Sequence, residues 1–242
     1  MNFQVDLVLP IICVFSLALV HLYASKLKFL TAIPRARWLS MSSGVSVAYV
    51  FVHLLPDLSE RQVELSQSST ISFLEHHVYL LALLGLSVFY GLERVVSLSQ
   101  QTHTDEDHKM GIYWLHIASF TLYNALIGYL LFHREETGLN SLIVYTIAMA
   151  LHFVVNDSGL NQDHQSIYRQ SGRWILAGAI IAGSIVGMAT KISEAAVSIL
   201  FSFLAGAIIL NVMKEELPEE RQSKFSAFTI GSLFYTMLLL LL

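Results

Sequence analysis

Eight apolar runs, each near the twenty residues that a ~30 Å hydrocarbon core demands of a helix, dominate this chain of 242 residues. They fall at about 5–24, 37–56, 73–93, 110–132, 139–157, 173–192, 194–214 and 224–242. Alternation of period two is absent, and a backbone in lipid must satisfy its own N–H and C=O groups, so helices are the spanning form in prospect. The expected fold is an all-α integral membrane protein, one domain over 1–242 with eight transmembrane helices, multi-pass in a cell membrane. Charged residues make up 13% of the chain, against the ~25% usual in a soluble domain. The first run starts at acidic Asp6 with no basic residue before it and reads as a span rather than a leader. A lone cysteine, Cys13, excludes an intramolecular disulfide and a Cys-based zinc site. The net charge of −4 gives no hint of a nucleic-acid partner.

Basic residues set the expected orientation. Lys26, Lys28, Arg35, Arg37, Arg94, Lys109, Arg169, Arg173, Lys214, Arg221 and Lys224 lie in the odd-numbered loops. Only Arg61, Arg134 and Lys191 lie in the even ones. By the positive-inside rule the odd loops face the cytoplasm, the polar loop 94–109 among them, and both termini lie outside.

The chain also repeats itself. Gly44, His53-Leu-Leu-Pro56 and Asp57 align without a gap on Gly206, Glu215-Glu-Leu-Pro218 and Glu219, at a constant offset of 162. Gly85 with Phe89-Tyr90 is echoed by Gly231 with Phe234-Tyr235. With the expected orientation, helices 1–3 and 6–8 form inverted repeats around a central pair, 4 and 5, in a 3+2+3 plan of the transporter type.

Polar residues inside such helices face a bundle interior or a water-filled path by default. On helix 5, His152 and Asn156 share a face with Tyr145 and Met149. Asp157 lies roughly 140° from His152 in a regular helix and joins it only through distortion or a second segment. On helix 4, His116, Ser119 and Tyr123 share a face, so helices 4 and 5 could present a polar seam to each other. A hydrogen-bond network holding the two helices together would account for the same residues.

These residues resemble the ZIP (Zrt/Irt-like) family of divalent-metal transporters. The resemblance rests on Gly44…Tyr49…His53-Leu-Leu-Pro56-Asp57, on Leu84-Gly85…Tyr90-Gly91-Leu92-Glu93, and on Leu204-Ala205-Gly206…Leu217-Pro218-Glu219. It implies eight spans in a 3+2+3 arrangement and a divalent metal, zinc first among them, as substrate rather than as a covalently bound cofactor. The family's helix-4 motif, His-Asn-x-Pro-Glu-Gly, aligns with Tyr123-Asn124-Ala125-Leu126-Ile127-Gly128. Its helix-5 motif, His-Glu-x-Pro-His-Glu-x-Gly-Asp, aligns with His152-Phe153-Val154-Val155-Asn156-Asp157-Ser158-Gly159-Leu160. The ligand set carried over is thus His152, Asn124, Asn156 and Asp157, short of the carboxylates that a two-metal cluster needs.

His53, Asp57, Glu75 and His77 are expected to gather at the outer face as an entrance, or to sit among lipid headgroups. His103, Asp105 and His108 give the cytoplasmic loop a metal-binding character, or are simply solvated. Helix 6, with Gly178, Gly183 and Gly187, offers a small-residue face for close packing or for a homodimer. No nucleophile with a matched base and no phosphate loop points to an enzyme. The expected function is a divergent ZIP-like carrier in the bilayer moving a divalent transition metal towards the cytoplasm along helices 4 and 5. The alternative is a ZIP-fold protein that has lost transport and binds, senses or scaffolds.

Overall fold

The computed structural model describes residues 3–24, 35–67, 77–102, 106–134, 138–216 and 224–241, and these are helical with short connections. We number the helices in chain order. α1 is Phe3–Tyr23. α2 runs Arg35–Tyr49, widens into a π turn at Val50–Leu54, and continues as Leu55–Gln67. α3 is His77–Thr102, α4 Glu106–Leu130 and α5 Leu139–Ile167. A π turn at Tyr168–Gly172 leads into α6, Arg173–Ala189. α7 is Glu194–Asn211, followed by a π turn at Val212–Glu216, and α8 is Phe225–Leu241.

Five stretches among the described residues are long and apolar enough to cross a membrane: Arg37–Val63, His77–Leu98, Leu139–Asn161, Tyr168–Ala189 and Glu194–Lys214. Val8–Tyr23 and Phe225–Leu241 are shorter apolar helices.

Two expectations are corrected. α2 does not stop at Pro56, and the described residues of the polar stretch 94–109 are helical. α3 carries on to Thr102 and α4 opens at Glu106. The extension of α3 keeps helical spacing, with Glu93 and Val96 buried and Val95 and Leu98 exposed. Its Ser and Gln residues then occupy a helix as readily as a loop.

The π turn in α2 has a local cause. Pro56 has no N–H to offer the carbonyl four residues back, and its ring would press on that carbonyl. The chain relieves this by widening one turn, so that Leu55 N–H reaches the Val50 carbonyl, five residues away. In the sequence Pro218 follows Glu216 at the spacing at which Pro56 follows Leu54, whereas no proline lies near the turn Tyr168–Gly172.

The chain divides into two compact units. The first is Met1–Asp57, Arg134–Ala177 and Asn211–Leu242; the second is Leu58–His133 and Gly178–Leu210. The first therefore holds α1, most of α2, α5 and α8. In it α8 lies along α2, and α5 packs on both α1 and α2. The second holds α3, α4, most of α6 and α7.

Each unit contains a crossing in which glycines let two backbones touch. In the first, a Cβ on Gly44 would fall within 3.0 Å of the Phe228 carbonyl oxygen and 2.9 Å from the Ser232 nitrogen. A Cβ on Gly231 would meet the Met41 carbonyl just as closely. Ser232 Oγ donates to the Gly44 carbonyl at 2.9 Å. In the second, Gly206 meets the Ala82 carbonyl and the Leu86 nitrogen, and Gly85 meets the Phe203 carbonyl.

The two crossings correspond residue by residue. Gly44 and Met41 map onto Gly206 and Phe203 at the offset of 162. Phe228, Gly231 and Ser232 map onto Ala82, Gly85 and Leu86 at an offset of 146. The π turns Val50–Leu54 and Val212–Glu216 obey the same offset of 162. The repeat found in the letters of the chain is thus a repeat of backbone geometry. The small-residue face of α6 belongs to the same economy of packing: Gly183 and Gly187 sit against the carbonyls of Ala125 and Tyr129 on α4, and Ser184 Oγ donates to the Gly128 carbonyl at 3.1 Å. Gly178 has open space beside it.

Candidate functional site

α5 begins at Gly138, whose carbonyl accepts the Leu142 N–H at 3.1 Å. It then presents Tyr145, Met149, His152 and Asn156 along one stripe, the spacing of 7, 4 and 3 residues returning each to nearly the same azimuth. His152 is 1% exposed and Asn156 6%. Asn156 Nδ2 lies 3.0 Å from His152 Nε2. An amide nitrogen only donates, so this ring nitrogen accepts and the imidazole carries its proton on Nδ1. The lone pair that a metal would take at Nε2 is already engaged by Asn156.

Asp157, on another azimuth, is met by a second segment. His21 of α1 places Nδ1 at 2.9 Å and 3.1 Å from the two Asp157 oxygens, donating to the carboxylate, and both residues are 2% exposed. The His21 ring stacks on Phe153 with centroids 4.3 Å apart. Beside them Arg173 Nη1 donates to the Leu22 carbonyl at 3.3 Å, tying the start of α6 to the last turn of α1. His21 was not among the residues expected from the sequence. The available signal was a histidine at the end of an otherwise apolar helix, where a buried ring needs a partner.

Towards the other end of the first unit, Tyr49 of α2 meets Tyr145 of α5 and Tyr235 of α8, each at a ring separation of 6.4 Å, and Tyr235 Oη donates to the Val144 carbonyl at 3.1 Å. His53 lies within the π turn and approaches Asp57 to 3.7 Å. The pair expected there therefore forms, although the widened turn lies between its members and the rest of the helix. A cavity of about 680 Å³ opens beside it, lined by Val52, His53, Asn140, Ser141, Leu239 and Leu240 among others.

The second unit holds the remaining candidates. His116 was expected to face helix 5; instead its Nε2 pairs with Glu93 Oε1 of α3 at 2.9 Å in a buried site. The pairing has a simple cause, since a carboxylate on the neighbouring helix is a far stronger acceptor than any amide or phenol. Ser119 Oγ donates to the His116 carbonyl at 2.8 Å. Asn124 turns its Nδ2 back to the Phe120 carbonyl at 2.8 Å. Tyr123 is fully buried against the rings of Phe89 and Phe120.

The candidate ligands thus divide, His152, Asn156 and Asp157 in the first unit and Asn124 in the second. The entrance set divides likewise, His53 and Asp57 in the first and His77, at the start of α3, in the second. Glu75, His103 and Asp105 lie outside the described residues, and His108 falls in the first turns of α4. Among the described residues no group of three or more His, Cys, Asp or Glu side chains gathers in a way that could hold a metal ion. No protein-family model, no curated protein and no solved structure matches this chain.

Proposed function

We propose that this protein is a multi-pass membrane carrier on a ZIP-like plan, with eight spans, inverted halves and both termini outside, whose substrate is a divalent transition metal such as zinc. The observation that carries this reading is the recurrence of one glycine crossing and one π turn in both halves of the chain. Carriers built from inverted repeats place broken helices at their substrate path, because irregular backbone inside a membrane is tolerated where it lines protein or water. His152 is the anchor ligand in this reading, with Asn156 and Asp157 auxiliary and His53 and Asp57 at the entrance. Binding at His152 Nε2 requires Asn156 to swing away, which makes the ligand set one that assembles only when the ion arrives.

A second reading is favoured by that same contact. Asn156 occupies His152, and His21 occupies Asp157, so the polar groups serve each other, and the protein binds, senses or scaffolds in the membrane without transport. Uptake into proteoliposomes separates the two. A carrier takes up zinc, cadmium, manganese or iron, and His152→Ala reduces the rate at least tenfold. Absence of uptake for all four ions, in wild type and variant alike, leaves only the second reading.

A further inference from the structure

The α2–α5 contact of the first unit holds polar groups that the site described above does not use. Three side chains there are more than nine-tenths buried and each keeps one polar atom without a hydrogen-bond partner among the described residues: Ser46 Oγ on α2, Asn156 Oδ1 on α5, and Asn211 Nδ2 at the end of α7. The π turn that follows Asn211 packs on both α2 and α5. A buried polar group left unmatched costs about 1–3 kcal/mol. Native proteins rarely leave three together, and ordered water is their usual partner.

The register of the two helices shows what lies between these atoms. Tyr49 meets Tyr145 at one level, and Trp38 clusters with Val154 and Val155 at another, so α2 and α5 run antiparallel. Ser42 returns to the azimuth of Tyr49, and Ser46 lies within about 60° of it. By that register Ser46 lies near the level of Ala148 and Ser42 near that of His152, with Asn156 one turn further along the stripe of Tyr145. The polar atoms are thus spread along the helix axis as a column rather than gathered as a cluster. The cavity beside His53, Asn140 and Ser141 lies towards the Tyr145 end of it, and Asn156 stands at the other, next to the His21–Asp157 pair. From Ser141 to Asn156 this is about 22 Å along α5 at ~1.5 Å per residue.

We infer that this column binds a chain of water molecules connecting the cavity to His152. The chemistry of the unmatched atoms selects water over a metal ion. A cation would draw oxygen acceptors alone, whereas these atoms include an amide donor, an amide acceptor and a hydroxyl that does either. Water is the one small ligand that answers all three. The inference does not rest on the metal-carrier reading, since a hydrated column serves a carrier and a sensor equally, and its test is read without any transport.

The test uses the small thiol-reactive cation Ag⁺ on the full-length protein in detergent micelles or liposomes. The native thiol Cys13, buried on α1, serves as the dry reference. Its reaction rate is compared with that of Ser46→Cys in a Cys13→Ala background, read as protection from later maleimide labelling in denaturant. The column predicts that the cysteine at position 46 reacts at least tenfold faster than Cys13; a smaller difference overturns it. The unaltered protein gives a second measurement that needs no variant. Hydroxyl radicals generated by radiolysis oxidise methionines that touch water, so Met149, 1% exposed on the α5 stripe, should label far faster than its exposure allows. Labelling no faster than that of a dry buried methionine would refute the column.

Discussion

Replacing Gly44 by alanine tests whether the paired crossings organise the fold. A Cβ there would stand under 3.0 Å from the Phe228 carbonyl oxygen and 2.9 Å from the Ser232 nitrogen. Both are backbone atoms, so no rotamer change relieves the contact and α8 must move as a body. Overpacking of this kind costs about 1–3 kcal/mol, towards the upper end where backbone rather than a side chain must yield. Alanine also favours the helix over glycine by up to ~1 kcal/mol, which leaves a net loss of about 1–2 kcal/mol. The shift also strains the Ser232–Gly44 hydrogen bond. For a chain of this size that is a fall in Tm of roughly 2–8 °C. The equivalence of the crossings makes the prediction double: Gly206→Ala must cost about the same, because its Cβ meets Ala82 and Leu86 as that of Gly44 meets Phe228 and Ser232. Gly91→Ala is the control, with nothing within 4 Å of its Cβ, and should be neutral or slightly stabilising. Thermal unfolding in detergent, followed by size-exclusion fluorescence, reads all three. If Gly44→Ala and Gly206→Ala unfold at the temperature of Gly91→Ala, the crossings do not organise the fold.

Two other outcomes are expected. His21→Ala strands a buried carboxylate and should cost about 3–5 kcal/mol, whereas adding Asp157→Ala should restore part of the loss; a double variant no more stable than the single one would show that the two residues do not pair. Pro56→Ala supplies the missing N–H, so the turn at Val50–Leu54 can close to regular helix, and its amides should exchange with deuterium more slowly; unchanged exchange would mean that proline is not the cause of the widened turn.

Much of the architecture could be read from the letters because apolar runs of about twenty residues bounded by polar ones mark long helices. The expected start of α5 at Leu139, of α6 at Arg173 and of α7 at Glu194 coincide with the observed ones. What escaped was of two kinds. Polar helical extensions, such as Glu93–Thr102 and Leu55–Gln67, carry no apolar signal because one side of them faces outward, and composition alone reads them as loops. The π turn at Val50–Leu54 escaped because Pro56 announces a disturbance without saying whether the helix ends or widens. Within the candidate site, the shared face of His152 and Asn156 followed from helical arithmetic, and the azimuth of Asp157 announced that a second segment was needed. That the segment is α1, and the residue His21, depends on tertiary packing 136 positions away in sequence. For the same reason His116 could be placed on a polar face but not matched to Glu93.

The contact between main chains at Gly44, Gly231, Gly85 and Gly206 has a consequence for redesign. Where two helices meet through carbonyls and α-carbons, the angle between them owes little to the identity of neighbouring side chains. Substitution of the outward-facing apolar residues of α3 or α8, even wholesale, should leave the crossing angle intact, while a single methyl group at any of those four positions should not. An engineer adapting this scaffold would hold four letters constant and treat the outward-facing alphabet as open.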